Sequence, residues 1–368
     1  MVDGRLRRVK EPPDLALAQV ARLVVPPDTP PLWVVYTGPF SGEYQLVAVY
    51  TRASDRWREL AWRELGYDEI APTERHPEVT TVQITADRIW FVLDGFTGNH
   101  GSAWNLFSFD GRQLVLQVSV VNAAYNLGQI ADVNGDGTPD VVLDVSNYYL
   151  LSGSADVAKI SLQVWTWDPA TERMMRKHLT LAPPAPTRDP AAELNDAAVR
   201  LAAAGLWKDA RRLISQAMTA AAEQPALAVT VAWNEAIIHQ HADAMLAAIA
   251  GTRRGGAAPE VAHLFYGDYA AVIDLWRRVP VDALFQPRGS PPAGSLLGFI
   301  SREARGAVDA ALAVQPELAP AHLVKGWLAY QRGDATTARA EVSLAAALAP
   351  TDDFYQAASA RLSALDSH

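Results

Sequence analysis

The chain has 368 residues, no cysteine, 49% hydrophobic and 20% charged residues, a formal net charge of −9 and a pI near 5.4. A chain of this length divides into two domains by default. The missing cysteine excludes disulfides, thiolate metal sites and a cysteine nucleophile, and the acidic balance argues against a nucleic-acid surface. No run approaches the roughly 18 apolar residues of a bilayer span.

The N-terminal stretch "MVDGRLRRVKEPPDLA" carries basic residues with no apolar core behind them, so it is not a signal peptide as written. Residues 1–29 are read as an extension and 30–181 as an antiparallel β domain. Apolar residues there recur with period two. In "RQLVLQVSVV", Leu114, Leu116, Val118 and Val120 share one face. In "VAKISLQVWTWD", Ile160, Leu162 and Val164 share one face and Trp165 and Trp167 take the other. This spacing predicts half-buried strands. "FDGRQL" predicts a hairpin turning at Asp110-Gly111. About ten strands are expected, as a sandwich or a propeller-like meander, since a full propeller usually needs at least ~4 four-stranded blades.

"DVNGDGTPD", residues 132–140, sits between two strand-like runs. Asp132, Asn134, Asp136 and Asp140 fall at loop positions 1, 3, 5 and 9, with the Thr138 carbonyl at position 7. Hard oxygens at alternate positions of a curled loop suit calcium, and Gly135 and Gly137 permit the positive φ of the curl. Position 12 is Leu143, where an EF-hand carries a bidentate glutamate, and the flank "VVLDV" is strand-like. The nine-residue pattern resembles the calcium loops of FG-GAP and VCBS-type β repeats. That resemblance implies a structural Ca²⁺ held by Asp132, Asn134, Asp136, Thr138 and Asp140. The competing reading is a plain Asn-Gly/Asp-Gly turn. A site lacking the glutamate fills at extracellular calcium levels, about 10⁻⁴–10⁻³ M. This points to an extracytoplasmic location, secreted or surface-anchored, and whether a signal or anchor preceded these residues is not readable from them; a cytoplasmic location stays open. Asp144 is an outer-shell candidate or a solvent-face residue.

Four prolines between Ala182 and Ala191 stop both helix and strand. Residues 182–190 read as a linker and 191–366 as an α-helical domain. "ARGAVDAALAVQP" and "ARAEVSLAAALAP" align without gaps, their prolines Pro316 and Pro350 lying 34 residues apart. Ala304, Val308 and Ala311 match Ala338, Val342 and Ala345. Gly205, Gly267 and Gly333 mark equivalent inter-helix turns. This half resembles a tetratricopeptide-type solenoid. His322 stands where that pattern places a large aromatic, and proline-rich residues 280–297 break the period; an irregular alanine-rich bundle is the alternative.

Other candidates are weaker. Glu235, His239 and Asp243 share a helix face at zinc-ligand spacing, without an HExxH pattern or a further strong ligand; a solvated helix face is the better account of them. The glycine-rich loop "DGFTGNHGS" with His100 lacks a phosphate-loop pattern, and no GxSxG elbow occurs. Trp165 and Trp167 would stack on sugars if exposed, or pack under a second layer. The expectation is therefore non-enzymatic: a calcium-stabilised binding or scaffold protein engaging a protein or peptide through its helices. The alternatives are a carbohydrate-binding or surface-attachment module, and a hydrolase whose acidic residues are scattered in sequence.

Overall fold

The computed structural model describes residues 18–25, 27, 29–37, 45–53, 56–65, 78–98, 101–123, 126–151, 154–184, 189–252, 259–286 and 296–365. The protein is α+β in separate domains. One unit comprises residues up to Ser146 together with Ser161–Lys177; the other comprises Asn147–Ile160 and His178–His368.

The β unit contains three four-stranded antiparallel sheets. The first runs in order β1 (Ala18–Arg22), β2 (Leu32–Thr37), β3 (Gln45–Ala53), β4 (Arg56–Leu65). The second is β5 (Glu78–Val82), β6 (Ile89–Gly98), β7 (Gly101–Phe109), β8 (Leu114–Asn122). The third pairs β9 (Gly128–Ala131), β10 (Asp140–Asp144), β13 (Leu162–Asp168) and β14 (Arg173–Lys177). A hairpin, β11 (Asn147–Leu151) and β12 (Ser154–Lys159), is inserted between β10 and β13 and belongs to the helical unit. Among the described residues there are fourteen strands, against about ten expected. Three of the strands the spacing does not reveal, β1, β9 and β14, are four or five residues long and carry too few alternations to stand out; the ten-residue β4 is obscured by its many charged side chains. β1 lies inside the stretch read as an extension.

The sheets are stacked, and the second is buried on both faces. Phe91, Leu93, Phe107 and Phe109 pack with Val34, Tyr36, Val47 and Val49 of the first sheet. On the opposite face, Trp90, Val92, Trp104 and Leu106 pack with Val141, Leu143 and Met174 of the third. β7 is consequently buried along almost its whole length. Fully burying a side chain of this size stabilises the fold by about 1.5–3 kcal/mol. The tight turn after β7 is closed by Asp110, whose Oδ1 accepts from the Arg112 and Gln113 amides at 2.8 and 2.7 Å.

The helical unit contains α1 (Pro190–Ala203), α2 (Trp207–Ala220), α3 (Pro225–Thr252), α4 (Pro259–Tyr266), α5 (Tyr269–Trp276), α6 (Val281–Leu284), α7 (Leu296–Val314), α8 (Ala319–Gln331), α9 (Ala335–Leu348) and α10 (Asp353–Ala364). Asp189 caps α1, accepting from the Ala191 amide at 2.9 Å, with Pro190 at the first helical position.

The turns α1–α2, α4–α5 and α8–α9 share one geometry. Gly205, Gly267 and Gly333 have φ of +77°, +77° and +81°, a left-handed conformation that costs glycine nothing. In each, the residue after glycine bonds back five residues: Leu206 N–H to Leu201, Asp268 to His263, Asp334 to Ala329, at 2.8–3.0 Å. The glycine amide bonds to the third residue before it. This is the Schellman arrangement, which satisfies carbonyls a helix end leaves free.

Small residues set the helix spacing. Ala304, Val308, Ala311, Ala338, Val342 and Ala345 are all fully buried. At Gly326 an added Cβ would lie 2.5 Å from Val342 Cγ2 and 2.9 Å from the Ala338 carbonyl. His322 is buried for a polar reason: its Nδ1 meets Glu341 Oε2 at 2.6 Å and its Nε2 the Pro316 carbonyl at 2.8 Å. It ties the α7–α8 turn to α9. Large aromatic area is supplied instead by Trp276 and Trp327, whose rings lie 5.2 Å apart.

Candidate metal centre

The acidic stretch is the loop of the β9–β10 hairpin, closed by the pairing of Ala131 with Asp140. Gly135 and Gly137 adopt φ of +75° and +86°. Asp132 is the hub of the curl. Its Oδ1 accepts from the Gly135 and Asp136 amides at 2.8 and 3.1 Å, and its Oδ2 from Gly137 at 2.8 Å. Asn134 Oδ1 accepts from the Asp136 amide at 3.1 Å, and its Nδ2 donates to Asp136 Oδ2 at 2.8 Å. Asp136 Oδ1 accepts from Thr138 N–H at 2.8 Å.

Backbone amides therefore spread much of the loop's negative charge. Asp136 sits below its ordinary carboxylate range; burial opposes this, and the Asn134 and Thr138 bonds outweigh it. Asp140 differs. It is fully buried, and its carboxylate takes a hydrogen bond from the Thr166 side chain and another, through Oδ2, from Val133 N–H at 3.3 Å. Its Oδ1 has no hydrogen-bond partner. Burial pushes its pKa up, and the nearby Asp136 and Asp132 charges push the same way. A buried carboxylate oxygen left without a donor is costly, and a cation is the partner an ionised oxygen in that position suits. Asp132, Asn134 and Asp136 retain lone pairs beside their amide bonds, and these are hard oxygens of the kind calcium takes. Among the described residues, no three His, Cys, Asp or Glu side chains converge as a metal-binding group.

Asp144 does not serve the loop. It lies at the opposite end of β10, where its Oδ1 accepts from the Ser146 amide at 2.8 Å. Glu235 and His239 lie 3.9 Å apart, while Asp243 pairs with Arg211. Ser215 Oγ meets His239 Nε2 at 3.2 Å, the same nitrogen that faces Glu235. A nucleophile–base–carboxylate relay needs the two ring nitrogens to serve different partners, so this trio lacks that geometry. Trp165 and Trp167 are half-buried against the core between the second and third sheets. Trp167 meets Trp90 edge-on at 5.0 Å, with the Arg88 guanidinium 5.3 Å from its ring. His100 lies outside the described residues.

Two features of the helical unit escaped the sequence reading. Asn195 and Asn234, both fully buried, are bonded to the backbone of Thr180. Glu260 Oε2 and Trp276 Nε1 are both buried without a hydrogen-bond partner, and the two residues border a small apolar cavity of about 10 Å³. Neither shows in sequence, because a lone asparagine or glutamate in a helix carries no periodic signal. No helix among the described residues is long and apolar enough to cross a membrane. No family model matches the chain, and no curated protein matches it.

Proposed function

We propose that this is a non-enzymatic binding protein, with a calcium-stapled β domain and a helical domain that engages a protein or peptide. The observation that carries the reading is the threefold recurrence of one helix–Schellman turn–helix unit, at Gly205, Gly267 and Gly333. Stacked helix pairs leave elongated surfaces on which peptides dock, as tetratricopeptide domains do; that step is an analogy of fold. The calcium staple is supported by the orphaned Oδ1 of Asp140 above a loop of oxygen donors. Asp132, Asn134, Asp136 and Asp140 would hold the ion with the Thr138 carbonyl. The ion would neutralise the carboxylates and fasten β9 to β10. Filling at extracellular calcium concentrations places the protein outside the cytoplasm in this reading.

Panning a random peptide library against the full chain tests the function. Peptides binding with Kd below about 100 μM (about −5.5 kcal/mol), and losing affinity when surface residues of α1, α4 or α8 are exchanged, support it. A library yielding no such binder, or binders insensitive to those exchanges, overturns it.

A further inference from the structure

The reading of the helical domain as peptide-engaging acquires a specific site from residues 178–182, on which the following inference rests. These residues belong to no helix or strand. Asn234 Oδ1 accepts from Thr180 N–H at 2.9 Å, and Asn234 Nδ2 donates to the Thr180 carbonyl at 2.7 Å. One carboxamide thus serves both backbone groups of one residue, as a neighbouring β-strand would. Asn195 Nδ2 reaches the same carbonyl at 3.3 Å, and Asn234 Nδ2 also donates to Asn195 Oδ1 at 2.7 Å. Asp196 Oδ1 accepts from Ala182 N–H at 2.7 Å. Leu179 and Ala182 pack against the helical core, while Thr180 and Leu181 are exposed.

Placing two fully buried carboxamides in an alanine-rich helix interface is unfavourable unless their donors and acceptors are used. Here they are used largely on main-chain atoms, which every residue except proline presents. Side-chain selectivity is confined to two apolar positions three residues apart. Recognition of backbone amides plus spaced apolar side chains is the chemistry of a site for a non-helical peptide.

We propose that α1 and α3 form such a peptide site, and that the chain fills it with its own residues 178–182. The segment is then a removable latch. A competing peptide needs an apolar residue, a free N–H and C=O at the next residue, and a small apolar residue two further on. Proline at the second position is excluded.

The test uses the full chain and a fluorescein-labelled peptide of residues 177–184, read by anisotropy. In the wild-type chain the tethered segment competes at an effective concentration on the order of millimolar, so added peptide binds weakly. Thr180→Pro removes the N–H that Asn234 receives and frees the site. The labelled peptide is expected to bind that variant at least about tenfold more tightly than wild type. Adding Asn234→Ala is expected to abolish the gain. The proposal is overturned if Thr180→Pro keeps its helical circular dichroism and shows no gain, or if the gain survives Asn234→Ala. Should Thr180→Pro unfold the chain, hydrogen exchange on the wild-type protein decides. A latch exchanges the Thr180 and Ala182 amides by local opening, long before the core amides of α3; exchange only with global unfolding sinks it. Failure of the latch leaves the peptide-engaging reading standing, because library binders would then map elsewhere on the helices.

Discussion

Asp140→Asn separates the two readings of the acidic loop. The substitution keeps a side chain of the same shape, with an oxygen for Val133 N–H. It removes the charge that burial, Asp136 and Asp132 all disfavour. In chelator, loss of an unpaired buried charge offsets loss of a charged acceptor, and the variant is expected within about 1 kcal/mol of wild type. In 10 mM calcium the wild-type protein gains RT ln(1 + [Ca²⁺]/Kd). For a Kd of about 10⁻³–10⁻⁴ M this is about 1.4–2.7 kcal/mol. At about 2–4 °C per kcal/mol for a domain of this size, the β-domain transition rises by about 3–10 °C. A tenfold loss of affinity in the variant removes about 1 kcal/mol of that gain. Seven of the eleven tryptophans precede residue 182, so tryptophan fluorescence during a thermal ramp follows the β domain. Magnesium, which dehydrates reluctantly and demands octahedral geometry, serves as control. The staple is refuted if calcium leaves the wild-type transition where chelator puts it, or if Asp140→Asn responds as wild type does.

Three further expectations concern the helical unit. Burial raises the pKa of Glu260 above its ordinary 4.5, so the folded chain holds that proton longer than the unfolded one. Its ionisation is a penalty absent at low pH that grows as pH rises through the folded value. Glu260→Gln should therefore gain about 1 kcal/mol or more at pH 7 and match wild type near pH 4 in urea melts; an equal gain at both pH values contradicts the burial argument. His322→Leu leaves the Pro316 carbonyl without its donor and strips one partner from Glu341. A cost of about 1–3 kcal/mol is expected by helical circular dichroism in urea, and an unchanged midpoint would show the bonds to be dispensable. Gly326→Ala forces a methyl against the Ala338 carbonyl and Val342. Overpacking of about 1–3 kcal/mol should follow, whereas a neutral result would mean that α8 and α9 separate freely.

The sequence by itself determined the features whose cause is local. Four prolines lie between the last strand, which ends at Lys177, and the body of α1, because residues lacking amide protons cannot continue a ladder. The turn at Asp110-Gly111, the curl at Gly135 and Gly137, and the positive φ at Gly205, Gly267 and Gly333 follow from what one or two residues permit. The pattern of small residues at 304, 308 and 311 and again at 338, 342 and 345 identified buried helix faces, since a helix repeats every 3.6 residues whatever it packs against. Tertiary structure decided everything that depends on distant partners. It buried β7 on both faces, packed Trp165 and Trp167 half-buried against the core, and left Asp140 alone among the loop's acids fully enclosed. It gave His322 a carboxylate on one side and a carbonyl on the other, where the repeat pattern called for an aromatic. It also assigned residues 147–160 and 178–182 to the helical unit, although their composition matches the β half. Asn234 and Thr180 are 54 residues apart, and nothing in either neighbourhood foretells a hydrogen bond that exists only once α1 and α3 are packed.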